Sequence, residues 1–292
     1  MDALKHLIPL VVSGSLGALV LAVGLDATLQ DLAYFWRRPK ALLRAFIAIC
    51  VIVPAVAVLV TSALPIHRVS LAGILLMAVA PVPPLVPGKD LKLGGDKAYV
   101  YGLYVTFACL AVIIVPITVA IMNAHYGVNA EIRPRVIARV VLGSVLAPLA
   151  VGLAIRALWP CFAVKAAPLV SKLSLLLLIV VCIPLFIAAW PAMRQLTGDG
   201  TVVAILAIVA AGLAGGHLLG GPVWEDRVAL AGAAATRHPG IALLIANTNS
   251  SDKTISAAIL LFVLVGVVAM IPYQLWVKRA HHAGSPRQPQ LL

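Results

Sequence analysis

Two short polar stretches stand inside otherwise apolar sequence and hold the side chains with chemistry to offer. The first is Lys89-Asp90, which follows Pro81, Pro83, Pro84, Pro87 and Gly88; the second is Thr236-Arg237-His238-Pro239-Gly240. Arg237 brings a guanidinium that stays charged and presents five N–H donors in a fixed fork, suited to carboxylate, sulfonate or carbonyl oxygens. Lys89 adds a second cation, and Asp90 reads as the counter-ion of Lys89 or Lys92 ahead of a proton relay. A cation beside His238 disfavours its charged form, which points to hydrogen bonding, while an unperturbed pKa of about 6.5 keeps a proton-linked role open. The plain reading of Arg237 and Lys89 is that they snorkel to an aqueous interface along their aliphatic stems. Against it, both flank helix breaks, and an ionisable group inside a membrane span is a site candidate by default.

The elements that must position these groups are broken helices. An apolar run from about Leu71 heads into four prolines within seven positions, and each removes a backbone donor and clashes with the preceding turn. Unwinding there exposes carbonyls and amides, so Pro84, Val86, Pro87 and Gly88 join the candidate site. A second apolar run breaks at Arg237-His238-Pro239. At membrane depth a broken backbone is tolerated only where protein covers it or where it lines a wet cavity. Two such breaks in matching places of two halves point to the binding site of a secondary transporter. Asn247 and Asn249 either line the cavity or cap a helix end. His217, Glu225 and Asp226 read as solvated loop residues.

The setting is a bilayer. Of 292 residues 62% are hydrophobic and 11% charged, mean hydropathy is +1.07, and apolar runs repeatedly reach the roughly 20 residues a spanning helix needs. The expected class is an all-α integral membrane protein. Its net charge of +12, from 22 Lys+Arg against 10 Asp+Glu, fits loops that meet anionic membrane lipid. Nucleic acid is excluded as a partner because basic and aromatic residues do not alternate on a polar face. No segment points to an obligate protein partner. Cys50, Cys109, Cys161 and Cys182 lack CxxC spacing and read as small core residues. Neither a metal centre nor a cofactor is expected. The apolar run Leu7–Val23 is long for a signal peptide and reads as the first span.

Nine spans are expected, at about 6–24, 41–64, 70–94 (broken), 98–123, 136–158, 166–192, 201–220, 227–248 (broken) and 254–277. They form one unit, 1–277, with repeat one at about 6–123 and repeat two at about 136–277, and 278–292 is a disordered tail. Lys5, Arg68, Arg133, Arg135, Arg194 and Lys253 fall on one side of these spans. Eleven Lys and Arg, from Arg37 to Arg287, fall on the other. The positive-inside rule puts the second side and the C-terminus in the cytoplasm and the N-terminus outside the cell membrane. The breaks lie five spans apart, so the broken spans cross in opposite directions, as an inverted-topology repeat requires.

Several motifs in order carry a resemblance. Gly24-Leu25-Asp26, Asp31-Leu32, Arg38-Pro39-Lys40, Val53-Pro54, Ala80-Pro81 with Gly94-Gly95-Asp96, Val115-Pro116, Ala147-Pro148 with Gly152, and Gly240 to Ala246 are together similar to the bile acid:sodium symporter family. The resemblance implies two five-helix inverted repeats, here short of the first helix, arranged as a panel and a core in which the two broken helices cross beside the substrate cavity. It also implies sodium sites, and there the chain departs. The family's Ser-Asn pair falls on Val86 and Pro87, its following hydroxyls on Val100 and Tyr104, and its Glu and Gln-Asn on Ala233, Arg237 and His238.

The expected function is therefore a secondary transporter of an organic anion, a carboxylate or sulfonate of sterol or metabolite size. Sodium and protons are the candidate coupling ions. In one reading Arg237, with or without Lys89, replaces bound sodium; in the other, Tyr104, Asn247 and backbone carbonyls rebuild a sodium site. A channel lacks a filter motif here. An intramembrane hydrolase lacks a nucleophile and base placed together.

Overall fold

The computed structural model describes residues 2–92, 96–126, 134–249 and 253–284. Among them there is no strand. The order is α1 (Asp2–Asp26), α2 (Leu29–Trp36), α3 (Pro39–Phe46), α4 (Val53–Ala63), α5 (Arg68–Val79), α6 (Val86–Lys92), α7 (Lys97–Tyr126), α8 (Pro134–Val141), α9 (Ala147–Leu158), α10 (Pro160–Gln195), α11 (Thr201–Leu219), α12 (Trp224–Ala235), α13 (Pro239–Asn249) and α14 (Lys253–Gly284). Wide π-helical turns, Ile47–Ile52 and Leu142–Leu146, join α3 to α4 and α8 to α9. Each turn is followed within two residues by a proline, Pro54 and Pro148, whose missing N–H removes an α-type bond at that point.

Among the described residues seven helical stretches are long and apolar enough to cross a bilayer, and the bent pair Leu10–Asp26 with Leu29–Trp36 makes an eighth. The expected count was nine. The shortfall is the first broken span, because α5 has only 12 residues and its continuation α6 is short and polar. α2 was not foreseen. It turns 89° from α1 and is started by a reciprocal cap: Asp31 N–H donates to Thr28 Oγ1 at 3.3 Å, and Thr28 N–H donates to Asp31 Oδ2 at 2.7 Å. Such a cap satisfies two otherwise orphaned donors. At the same elbow Asp26 accepts from Lys97 Nζ at 3.0 Å and from the Tyr101 hydroxyl at 2.5 Å. α14 runs to Gly284, so residues 278–284 of the expected tail are helical, and 285–292 lie outside the described residues.

The helices sort into two groups by what they touch. α1, α9 and α10 pack on one another. Gly24 and Gly152 let the first two meet backbone to backbone: a Cβ on Gly152 would stand 2.5 Å from Leu21 O. Most of α10 faces outward with Leu169, Leu173, Leu176 and Ile187 exposed, as a lipid-facing helix requires. The second group gathers α11, α12 and α14 with α4 and α5. Gly212 and Gly216 of α11 sit on the α12 backbone, with a Cβ on Gly216 only 2.5 Å from Ala231 Cα. Lipid tails are as apolar as the side chains, so close van der Waals approach of this kind is what joins helices in a bilayer. The cysteines are free, and Cys109 and Cys161 are exposed, not core residues.

Candidate functional site

The two breaks meet. The chain leaves α5 at Ala80 and re-enters helix at Val86, and it leaves α12 at Thr236 and re-enters at Pro239. α5 packs on α13 and α6 packs on α12, so each half of one broken pair lies on the opposite half of the other. The backbones are tied at the crossing, where His238 N–H donates to Pro81 O at 2.9 Å. Pro87 falls in the first turn of α6, where its missing N–H costs nothing. Pro87, Gly88, Lys89 and Asp90 are therefore helical, and the unwound stretch is Ala80 to Leu85.

Arg237 is the hub of the crossing. It is 5% exposed. Nη2 donates to Ile49 O and to Ala234 O, both at 3.0 Å, and Nη1 to Ala80 O at 3.4 Å. Each acceptor has lost its ordinary helical donor. The α-type partner of Ala80 O would be residue 84, a proline. The π-type partner of Ile49 O would be residue 54, also a proline. The partner of Ala234 O would be His238, whose N–H is committed to Pro81. A buried carbonyl left unpaired costs about 1–3 kcal/mol, and one guanidinium relieves three of them. α5 and α12 also present the negative ends of their dipoles here, which favours a cation. Among the described residues no carboxylate forms an ion pair with Arg237.

His238 is 3% exposed, and its Nδ1 accepts from Ile241 N–H at 3.3 Å, capping α13 just ahead of Pro239. Thr236 Oγ1 donates back to Gly232 O at 2.7 Å and approaches Met270 Sδ at 3.5 Å. Asp90 is buried at 3% exposure against Gly232, where a Cβ would stand 2.6 Å from Asp90 Oδ1. The neighbouring Ala233 is fully buried. Two cavities flank the crossing. One is lined by the π-helical turn Ile47–Ile52, α4, α5 and the unwound residues after it, α7 and Arg237; the other by Val86, Asp90, Thr236, Tyr273 and Gln274.

The Tyr104 ring is 1% exposed, and its hydroxyl has no partner among the described residues. Pro84 is buried in the break and Gly88 is exposed. Asn247 is exposed and accepts from Ser256 Oγ at 3.1 Å, which places it against α14 and away from the crossing. The backbone of Lys89 lies in α6, and its side chain lies outside the described residues. His217 is not a loop residue: it ends α11, with Nδ1 2.9 Å from the Tyr273 hydroxyl and its ring among Trp224 and Trp276. The contributor that sequence reading missed is the Ile49 carbonyl. The signal for it was Pro54, a proline inside an uninterrupted apolar span.

The sodium bile acid symporter family model matches residues 15–193, a stretch that contains the first break and Pro54. Arg237 and His238 lie beyond its end. No curated protein matches the chain. With more than half of its length matched, the chain belongs to the sodium bile acid symporter family.

Proposed function

We propose that this protein is a secondary transporter of a small organic anion in which Arg237 stands where a coupling sodium would, so that uptake does not depend on a sodium gradient. The observation that carries the reading is the guanidinium's threefold bond to carbonyls stranded at the crossing. A bound sodium would need several oxygen ligands of this kind, and a fixed cation supplies the same charge without a binding equilibrium. The crossed packing of α5 on α13 and α6 on α12 supports an inverted pair of repeats, and the excess of Lys and Arg on one side of the spans supports an outside N-terminus and a cytoplasmic C-terminus. His238 serves this reading as a cap. Its Nδ1 accepts a backbone N–H, and protonation there would cost α13 that bond.

A second reading keeps one sodium site, and the Tyr104 hydroxyl favours it, being buried without a partner among the described residues. The deciding experiment is uptake of an identified anion into proteoliposomes with sodium replaced by choline. The Arg237 reading expects wild-type uptake to persist and Arg237→Gln to lose it. Strong loss of wild-type uptake in choline would establish sodium coupling instead.

A further inference from the structure

The elbow after α1 carries groups that the crossing does not use. α1 has 25 residues and is long enough to cross the bilayer without help. α2 turns 89° from it, so α2 lies close to the membrane plane, on the side of the spans that holds the excess of Lys and Arg. Its inner face is clipped to α7. Phe35 is fully buried with its ring centroid 5.1 Å from that of Tyr99. Its outer face is apolar: Leu29 and Trp36, seven residues apart and so on one side of the helix, are 65% and 63% exposed.

Cations follow at once. Arg37, Arg38 and Lys40 come directly after Trp36. Arg38 lies over the Tyr34 ring, 4.2 Å from its centroid, and donates to its hydroxyl. Arg37 and Lys40 are exposed and form no ion pair among the described residues. A second aromatic group fixes the level of this corner. Arg44, one turn beyond Lys40 on α3, reaches Gly221, where a Cβ would stand 3.3 Å from its Nη1. Just past Gly221, Trp224 packs on the exposed Trp276 with ring centroids 5.2 Å apart. Tryptophans gather at headgroup depth, and the elbow is their neighbour. A helix in the membrane plane with Leu and Trp on its open face and cations at its end is built to lie in the headgroup layer.

We propose that α2 and the corner 37–40 form a docking surface for anionic phospholipid. Leu29 and Trp36 sit against the upper acyl chains, and Arg37 and Lys40 hold the headgroup charge. A zwitterionic headgroup cancels its own phosphate charge and is held less well. The proposal needs only that the chain spans a bilayer and does not depend on what it carries.

The test reads lipid composition at α2 itself. In a background carrying Cys50→Ala, Cys109→Ala, Cys161→Ala and Cys182→Ala, Gln30→Cys, at an exposed position of α2, is labelled with the fluorophore nitrobenzoxadiazole. The protein is placed in phosphatidylcholine vesicles containing either nitroxide-labelled phosphatidylglycerol or nitroxide-labelled phosphatidylcholine. One basic residue at an anionic surface corresponds to about a fivefold preference. The phosphatidylglycerol quencher should therefore halve the emission at roughly a fifth of the mole fraction that the phosphatidylcholine quencher needs, and salt at about 0.5 M should shrink that difference. The same label on Ile113→Cys, exposed and about 24 Å along α7 from Lys97, should respond to both lipids equally. Arg37→Gln with Lys40→Gln abolishes the preference at position 30. Lys165→Gln with Arg279→Gln, which removes the same charge from other exposed sites, keeps it. Equal quenching by the two lipids at position 30 would overturn the proposal, as would a preference that survives Arg37→Gln with Lys40→Gln or one that Lys165→Gln with Arg279→Gln also abolishes. Absence of quenching by either lipid would take α2 off the bilayer and end the proposal as well.

Discussion

The two breaks solve one problem in opposite ways. The first, Ala80 to Leu85, is built of prolines and apolar residues and brings no side-chain donor; it strands carbonyls. The second, Thr236 to His238, is short and polar and brings donors: a guanidinium, a backbone N–H aimed at Pro81 O and a hydroxyl folded back on Gly232 O. Neither is stable alone in hydrocarbon, where unsatisfied backbone groups cost several kcal/mol each. Crossing them lets one region's surplus acceptors meet the other's surplus donors. The sense of the pairing also fixes the sign of the crossing, since a surplus of carbonyls calls for a cation.

That complementarity can be attacked from either side. The largest effect is expected from Arg237→Gln. It removes the charge and leaves three buried acceptors short of a donor, each worth about 1–3 kcal/mol, so the melting temperature should fall by many degrees and anion uptake should be lost. Retention of wild-type stability would mean that water or other groups satisfy the carbonyls. Pro54→Ala comes next. It restores an N–H that can reclaim Ile49 O and draw it from Nη2, and a loss of about 1 kcal/mol is expected, read as a lower denaturation midpoint with reduced uptake. Pro84→Ala offers the same competition at Ala80 O, but that bond is already long at 3.4 Å. Its expected loss is about 0.5 kcal/mol, at the low end for a hydrogen bond, and an effect larger than that of Pro54→Ala would reverse the assigned order. Asn247→Ala marks the floor. As an exposed residue bonded only to Ser256 in the described contacts, it should stay within about 0.5 kcal/mol in stability and leave uptake unchanged.

Much of this was legible in the residues. Prolines at 81, 83, 84 and 239 announced the two breaks, whereas Pro87 sits in the first turn of α6. A permanent charge in an apolar run announced that Arg237 needs buried polar partners, which three carbonyls supply. What escaped was backbone. A hydropathy window treats Pro54 as one more tolerable residue and has no term for a carbonyl it strands five positions earlier, so Ile49 could not be named. Counting apolar runs also turned α5 and α6 into one span although neither is long enough alone. Thr28 and Asp31 have the types and spacing of a reciprocal helix cap, yet the residues between the first two expected spans, 25–40, were left without a helix and α2 went unread. Asn247, which the sequence left open between cavity lining and a helix-end cap, accepts from Ser256 of α14, a partner that lies in another helix and that local sequence could not name.

The seam between α11 and α12 determines which parts of this molecule can move independently. With Gly212 and Gly216 seated on the α12 backbone, no side-chain layer remains to shear between the two helices. α12 carries Ala234 O, and the residues just past its end carry Arg237. Any displacement of the crossing must therefore take α11 along as one rigid body. Sliding is left to surfaces with side chains between them, such as the face where Leu16 of α1 rests over Gly240 at the head of α13.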